Sequence, residues 1–158
     1  MRKSLLLLLP ALFLAAPAHA VIDTDFGVKA GMLSVDGDEG AATQAGIVYN
    51  IELLGMLGVE FEANTTLANG DAGFGAEYSA TQLGAYGVLM TPGPIYFKAK
   101  AGFVRTDIEF DPDPLGASGS DTNMAYGIGI GFTALEIEYT RTEWMDQDVD
   151  MISASFKF

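Results

Sequence analysis

The sequence predicts an all-β fold: an eight-stranded antiparallel up-and-down transmembrane β-barrel, preceded by a cleavable signal peptide. Three observations carry this. Eight segments alternate apolar and polar residues with a period of two. The connections between them alternate between long polar stretches and short turns, as in a barrel whose two rims face different compartments. The chain is 49% hydrophobic yet carries a formal net charge of -13. Ordinary soluble acidic proteins are rarely this apolar, whereas a barrel can turn its apolar residues toward lipid.

The first twenty residues, MRKSLLLLLPALFLAAPAHA, form the expected export signal. Arg2 and Lys3 supply the positive start. Leu5 to Ala16 form an apolar core that falls short of the ~20 residues of a bilayer-spanning helix. Ala18-His19-Ala20 supplies the small-x-small cleavage site, read at Ala18 and Ala20. The chain then divides into a signal peptide, residues 1–20, and one barrel domain, residues 21–158. Removing the signal, with its two cations, leaves 138 residues and moves the net charge from -13 to -15. It also removes the only histidine, and the chain has no cysteine. A disulfide framework, a zinc–thiolate site, a cysteine nucleophile and a lipidated cysteine anchor are therefore excluded.

The strands follow in order. In the first, residues 26–35, Phe26, Val28, Ala30 and Met32 oppose Gly27, Lys29 and Gly31. The second, 44–53, sets Ala45, Ile47, Tyr49, Ile51 and Leu53 against Gln44, Gly46, Val48, Asn50 and Glu52. The third, 57–66, sets Leu57, Val59, Phe61 and Ala63 against Gly58, Glu60, Glu62 and Asn64. The fourth, 77–89, has the faintest pattern, with Leu83, Ala85, Gly87 and Leu89 against Gln82, Gly84 and Tyr86. The fifth, 95–104, opposes Ile95, Phe97, Ala99, Ala101 and Phe103 to Tyr96, Lys98, Lys100 and Gly102. The sixth, 123–132, opposes Met124, Tyr126, Ile128, Ile130 and Phe132 to Asn123, Ala125, Gly127, Gly129 and Gly131. The seventh opposes Leu135, Ile137 and Tyr139 to Glu136, Glu138 and Thr140. The last opposes Ile152, Ala154, Phe156 and Phe158 to Met151, Ser153, Ser155 and Lys157. Such lengths suit tilted strands, which cross a bilayer in ~9–11 residues. The connections 36–43, 67–76, 105–121 and 143–150 are long and polar, while 54–56, 91–94 and 133–134 are short. With a periplasmic N-terminus, every long connection falls outside.

The polar faces separate a membrane barrel from a soluble, lipocalin-type one. They mix glycine with long Lys and Glu side chains, which suits a narrow lumen where small and large residues interlock. The apolar faces are aromatic and aliphatic, as lipid requires, and closure pairs every backbone group at that depth. The segment Gln82-Leu-Gly-Ala-Tyr-Gly, a tight turn and Tyr96-Phe-Lys-Ala-Lys-Ala-Gly-Phe103 resemble the fourth and fifth strands of the small eight-stranded outer-membrane barrels, the OmpA-like and opacity-type porin superfamily. The ending Ile152-Ser-Ala-Ser-Phe-Lys-Phe158 resembles that family's assembly signal, carried here by Ile152, Ala154, Phe156 and Phe158. The resemblance covers residues 26–158. It implies the outer membrane of a Gram-negative bacterium as location, and the barrel-assembly machinery as a partner of the last strand. No periplasmic peptidoglycan-binding domain is expected to follow, as in short members of the family.

Inward-pointing charges form the main candidate site: Lys29, Lys98, Lys100 and Lys157 with Glu52, Glu60, Glu62, Glu136 and Glu138. Charges withdrawn from water must be paired or hydrated, so a near-neutral network is expected. It would act as a structural plug or, alternatively, as a gate opened by breaking a Lys–Glu pair. The outer connections hold thirteen acids, among them Asp36, Asp71, Asp107, Asp121 and Glu143, against Arg105 and Arg141, about -11 in all. Asp146, Asp148 and Asp150 have the odd spacing of a calcium loop, but Met151 stands where its Gly belongs and Lys157 where its final Glu belongs. They are weak metal candidates. The rim is expected to be hydrated acid, or alternatively a weak divalent-cation site bridging to lipopolysaccharide phosphates.

The acidity excludes nucleic acid as a partner. No catalytic residue and no cofactor is expected, because the exported chain lacks the histidine base that barrel enzymes commonly use. Trp144, Tyr139, Tyr126 and Tyr49 are expected at the membrane interfaces. The expected protein is a monomer in contact with outer-membrane lipid and lipopolysaccharide, with a structural or surface-interaction role. A narrow ion or small-solute pore and a surface adhesin are the alternatives.

Overall fold

The computed structural model of the protein describes residues 22–36, 40–73, 75–112, 116 and 118–158. The signal-peptide segment, with Ala18 and Ala20, lies outside them. Nine strands occur in these residues: β1 Ile22–Val35, β2 Ala42–Leu53, β3 Leu57–Ala68, β4 Gly70–Gly73, β5 Ala76–Met90, β6 Ile95–Asp111, β7 Gly119–Phe132, β8 Leu135–Trp144 and β9 Gln147–Lys157. The ladders β1–β9 and β3–β5 close eight of them into an antiparallel ring, β1-β2-β3-β5-β6-β7-β8-β9. The short β4 is laddered to β5. Closure removes the edges that lipid would leave unpaired. At the closing junction Phe26 and Phe158 exchange two backbone hydrogen bonds, 3.2 and 2.8 Å, and their rings meet edge to face at 5.5 Å.

The strands run further outward than their apolar belts. The expected connection 105–121 is mostly strand, because β6 extends to Asp111 and β7 begins at Gly119. The expected connection 143–150 shrinks to a two-residue turn. Trp144 pairs with Gln147, and Met145 and Asp146 both take positive φ, 49° and 67°. That geometry matches the right-handed twist of a hairpin. The segment 67–76 contains β4, which the sequence pattern did not indicate.

Beyond the belt the two faces keep their alternation but exchange their polarity. On β6, Phe97, Ala99, Ala101 and Phe103 face outward, and Lys98 and Lys100 inward. From two residues after Phe103, Arg105, Asp107 and Glu109 face outward, and Ile108 is fully buried inside. β1, β5 and β9 do the same with Leu33 and Val35, Tyr78 and Ala80, and Val149. These side chains form an apolar cluster with Ala42, Ile108 and Trp144, and Ala72 and Phe110 pack against it. The Phe110 ring lies 6.3 Å from Tyr78 and 6.1 Å from Trp144. The Tyr78 hydroxyl ties the cluster to the backbone, lying 2.9 Å from the Leu33 carbonyl oxygen and accepting the Ala42 N–H at 3.2 Å. Trp144, expected at a membrane interface, is 3% exposed inside this cap. Its side of the alternation turns inward, and past the belt the inside is the dry side. Tyr139, Tyr126 and Tyr49 face outward.

Aromatic rings settle onto glycines inside the ring. Tyr96 lies over its ladder partner Gly131, where a Cβ would meet the ring at 2.1 Å. Tyr78 covers Gly70 in the same way, with a Cβ contact of 2.2 Å. Small and large residues thus interlock, as a narrow lumen demands.

Candidate functional site: the charged lumen

The period of two directs alternate side chains of β1, β3, β6, β8 and β9 into the lumen. Closure brings these strands opposite one another. Lys29 bonds Glu62 at 2.6 Å and Glu138 at 2.9 Å. Lys98 bonds Glu60 at 2.9 Å and Glu136 at 2.5 Å, and also contacts Glu138. Lys100 bonds Glu60, Glu62 and Glu138 at 3.1, 2.6 and 2.6 Å. Lys157 bonds Glu136 at 2.9 Å. Asn50, with its amide oriented to suit its neighbours, donates to Glu60 at 3.0 Å and accepts from Lys157 at 2.9 Å. The Tyr96 hydroxyl donates to Glu136 at 2.9 Å. Lys100 also stands 4.0 Å above the Tyr86 ring, a cation–π contact.

Eight of the nine expected lumen charges meet here. Glu52 does not. It lies half-buried at the mouth opposite the apolar cap, in a vestibule of about 470 Å³ shared with Asp25, Tyr96 and Lys157, and among the described residues no ion pair holds it. Its absence leaves four lysines facing four glutamates, so the network is neutral. Each member of this set is buried. Burial costs several kcal/mol per ion, which only dense pairing offsets. Glu138 is the hub, touching Lys29, Lys98 and Lys100.

Oxygens of Glu60, Glu62 and Glu138 lie within 4.8 Å of one another, a spacing that could hold a cation. Lys29, Lys98 and Lys100 already supply three positive charges at those oxygens. The donor set is committed to ammonium groups, and a metal there would face them at contact range.

The outer rim is arranged differently. Arg141 grips Asp150 through two bonds, 2.6 and 2.7 Å, and reaches Asp148 at 3.3 Å. The Tyr139 hydroxyl donates to Asp150 at 2.6 Å. These bonds, chiefly that from Arg141, hold the Asp150 carboxyl below the usual aspartate range. Two of the three weak metal candidates, Asp148 and Asp150, are thus engaged by a guanidinium. Asp146 sits in the turn with positive φ. Arg105 bridges Asp107 at 3.2 Å in an exposed pair. In the last strand Ile152, Phe156 and Phe158 point outward into the apolar belt, with Ala154 on the same face.

Known proteins share this architecture. Ail, the attachment invasion locus protein of Yersinia pestis, is 19% identical, with TM-score 0.50 over 87% of this chain and 97% of its own. The outer membrane protein OprG from Pseudomonas aeruginosa is 13% identical, with TM-score 0.57 over 85% of this chain and 95% of its own. The outer membrane enzyme PagL is 12% identical, with TM-score 0.53 over 85% and 98%. At such identities the likeness is one of fold, and a shared fold hosts many functions. No curated protein sequence matches at significance. The family described as "Outer membrane protein beta-barrel domain" matches residues 4–158. Alternation, ring closure and this match agree: the chain belongs to the outer-membrane β-barrel family, whose location is the bacterial outer membrane.

Proposed function

We propose that the protein is a sealed barrel that occupies the outer membrane and presents an acidic surface, without conducting solutes along its axis. The observation that carries this reading is the pair of unlike seals in series. The neutral Lys–Glu network fills the membrane section, and the apolar cap around Tyr78, Ile108 and Trp144 fills the outer section. An eight-stranded interior is just wide enough for side chains to fill. In planar bilayers the refolded protein should show no steady conductance. Glu62→Ala should also show none, because the cap remains. Steady channels in the wild type would favour the pore instead.

The other roles proposed for this chain follow the same residues. Residues 1–20 direct export and are removed after Ala20, which N-terminal sequencing of the membrane-inserted protein checks. Ile152, Ala154, Phe156 and Phe158 are the strand read by the assembly machinery. Lipopolysaccharide and lipid surround a monomer. The chain is not an enzyme, since its lumen carboxylates are committed to lysines. A surface-recognition role is the second reading. It is favoured by the height of β6, which continues from Val104 to Asp111 beyond the belt with charged residues outward.

A further inference from the structure

The lumen is closed twice along its axis, but its wall is not laddered uniformly. The β6–β7 ladder runs from Ile95↔Phe132 to Ile108↔Gly119, and the β8–β9 ladder from Leu135↔Phe156 to Trp144↔Gln147. Between them the β7–β8 ladder ends at Tyr126↔Arg141, although β7 continues outward to Gly119 and β8 to Trp144. Past that point side chains hold the strands. Thr142 Oγ1 donates to the Met124 carbonyl at 3.1 Å, and Asn123 Nδ2 donates to the Glu143 carbonyl at 3.0 Å. The Met145 N–H reaches the Asp121 carboxylate at 3.4 Å. A cavity of about 290 Å³ lies in this seam, against Asn123, Met124, Tyr126, Arg141 and Thr142.

Ring order places β2 and β3 diametrically across from the seam. There Gln44 Oε1 and Asn64 Oδ1 are buried and find no hydrogen-bond partner among the described residues. Trp144 Nε1, on β8 just beyond the seam, is buried in the same condition. Buried polar atoms are nearly always satisfied, by water where protein does not suffice. Two acceptors and one donor suit a small molecule that both donates and accepts.

We propose that the barrel opens laterally at the outer half of the β7–β8 seam and admits small hydrogen-bonding molecules, water first, to the lumen between the cap and the ion-pair network. Side-chain bonds to a wet rim exchange readily with water. A continuous backbone ladder opens locally only at a higher free-energy cost. The inference goes beyond the sealed-axis reading and does not depend on it.

Trp144 is the only tryptophan, and the chain has no cysteine, so one fluorophore and two introduced thiols give an unambiguous test. Met124→Cys/Glu143→Cys spans the seam, and Phe103→Cys/Met124→Cys spans an intact ladder pair. In lipid vesicles, acrylamide should quench Trp144 in the reduced seam variant, oxidation should abolish the quenching, and reduction should restore it. Quenching that is absent before oxidation, or unchanged by it, overturns the proposal, the latter because entry would then run through the cap. Should the disulfide fail to form, spin labels at the same positions decide. The seam pair should give a broader distance distribution than the ladder pair, and equal widths would overturn the proposal. Axial conductance is read separately in planar bilayers, so failure of either idea leaves the other standing.

Discussion

Between Phe103 and Ile108, along one strand, the barrel exchanges its inside for its outside. In the membrane section Phe103, Ile128 and Ile137 face out, and Lys98, Lys100 and Glu138 face in. In the outer section Arg105, Asp107 and Glu109 face out, and Tyr78, Ile108 and Trp144 face in. The alternation, the pairing and the twist are continuous across the boundary. What changes is the solvent. Lipid rewards apolar atoms on the outer wall, so charges must find partners inside. Water rewards the reverse, so the outer section is built like a soluble barrel with a dry core. The boundary can be read residue by residue, at Phe103/Arg105 on β6, Tyr139/Arg141 on β8 and Ile152/Asp150 on β9. It shows that β-strand geometry is indifferent to which face is apolar, and that environment alone assigns it.

The largest loss is expected at the hub of the lumen. Glu138→Ala leaves Lys29, Lys98 and Lys100 each short of a partner, and should cost about 3–5 kcal/mol in urea unfolding from vesicles. In the outer section the equivalent injury is a cavity. Ile108→Ala should cost about 2–5 kcal/mol, with the loss appearing as early exchange of β5 and β6 outer amides while belt amides stay protected. The sharpest contrast uses one strand and one face. Ile128→Arg places a cation in the middle of the belt and should cost about 2–4 kcal/mol. Thr122→Arg, six residues further out on the same face of β7, should cost no more than about 1 kcal/mol, from facing its ladder partner Arg105. Equal costs at these two positions would mean that the polarity exchange does not mark the membrane boundary.

The smallest effect is expected at the rim. Arg141→Ala should lower stability less than any of these, since the pair with Asp150 is partly exposed. Its pH dependence has a defined sign. Asp150 is held below its unfolded value, so its contribution is complete above the ordinary aspartate range of about 3.9. It is lost as pH falls through the depressed folded value. Titrating unfolding midpoints of wild type and Arg141→Ala downward from neutrality should show the difference shrinking only in that acid range.

The belt strands were legible because two-residue alternation needs no tertiary information. So was membership of the lumen set, since Lys29, Lys98, Lys100, Glu60 and Glu62 share glycine-bearing faces and Glu136 and Glu138 oppose the apolar Leu135, Ile137 and Tyr139. The outer section was missed, although Val104, Thr106, Ile108 and Phe110 continue the inward parity of Lys98 and Lys100. Its outward residues are charged, and charge beside Gly and Pro resembles a loop. Trp144 suggests an interface for a related reason: its type suits a headgroup layer, but its parity points inside.

Glu52 marks the limit of such reading. It has the same parity as Asn50 and lies on the same face, yet it stands at the mouth opposite the apolar cap while Asn50 bridges Glu60 and Lys157. Which face each side chain takes can be read from the amino-acid order alone, because it follows from the local pleat. Only the tertiary structure decided how high each charge sits and which partner it meets. Those depend on the stagger of eight strands around a closed ring, a property of the whole barrel that no single segment carries.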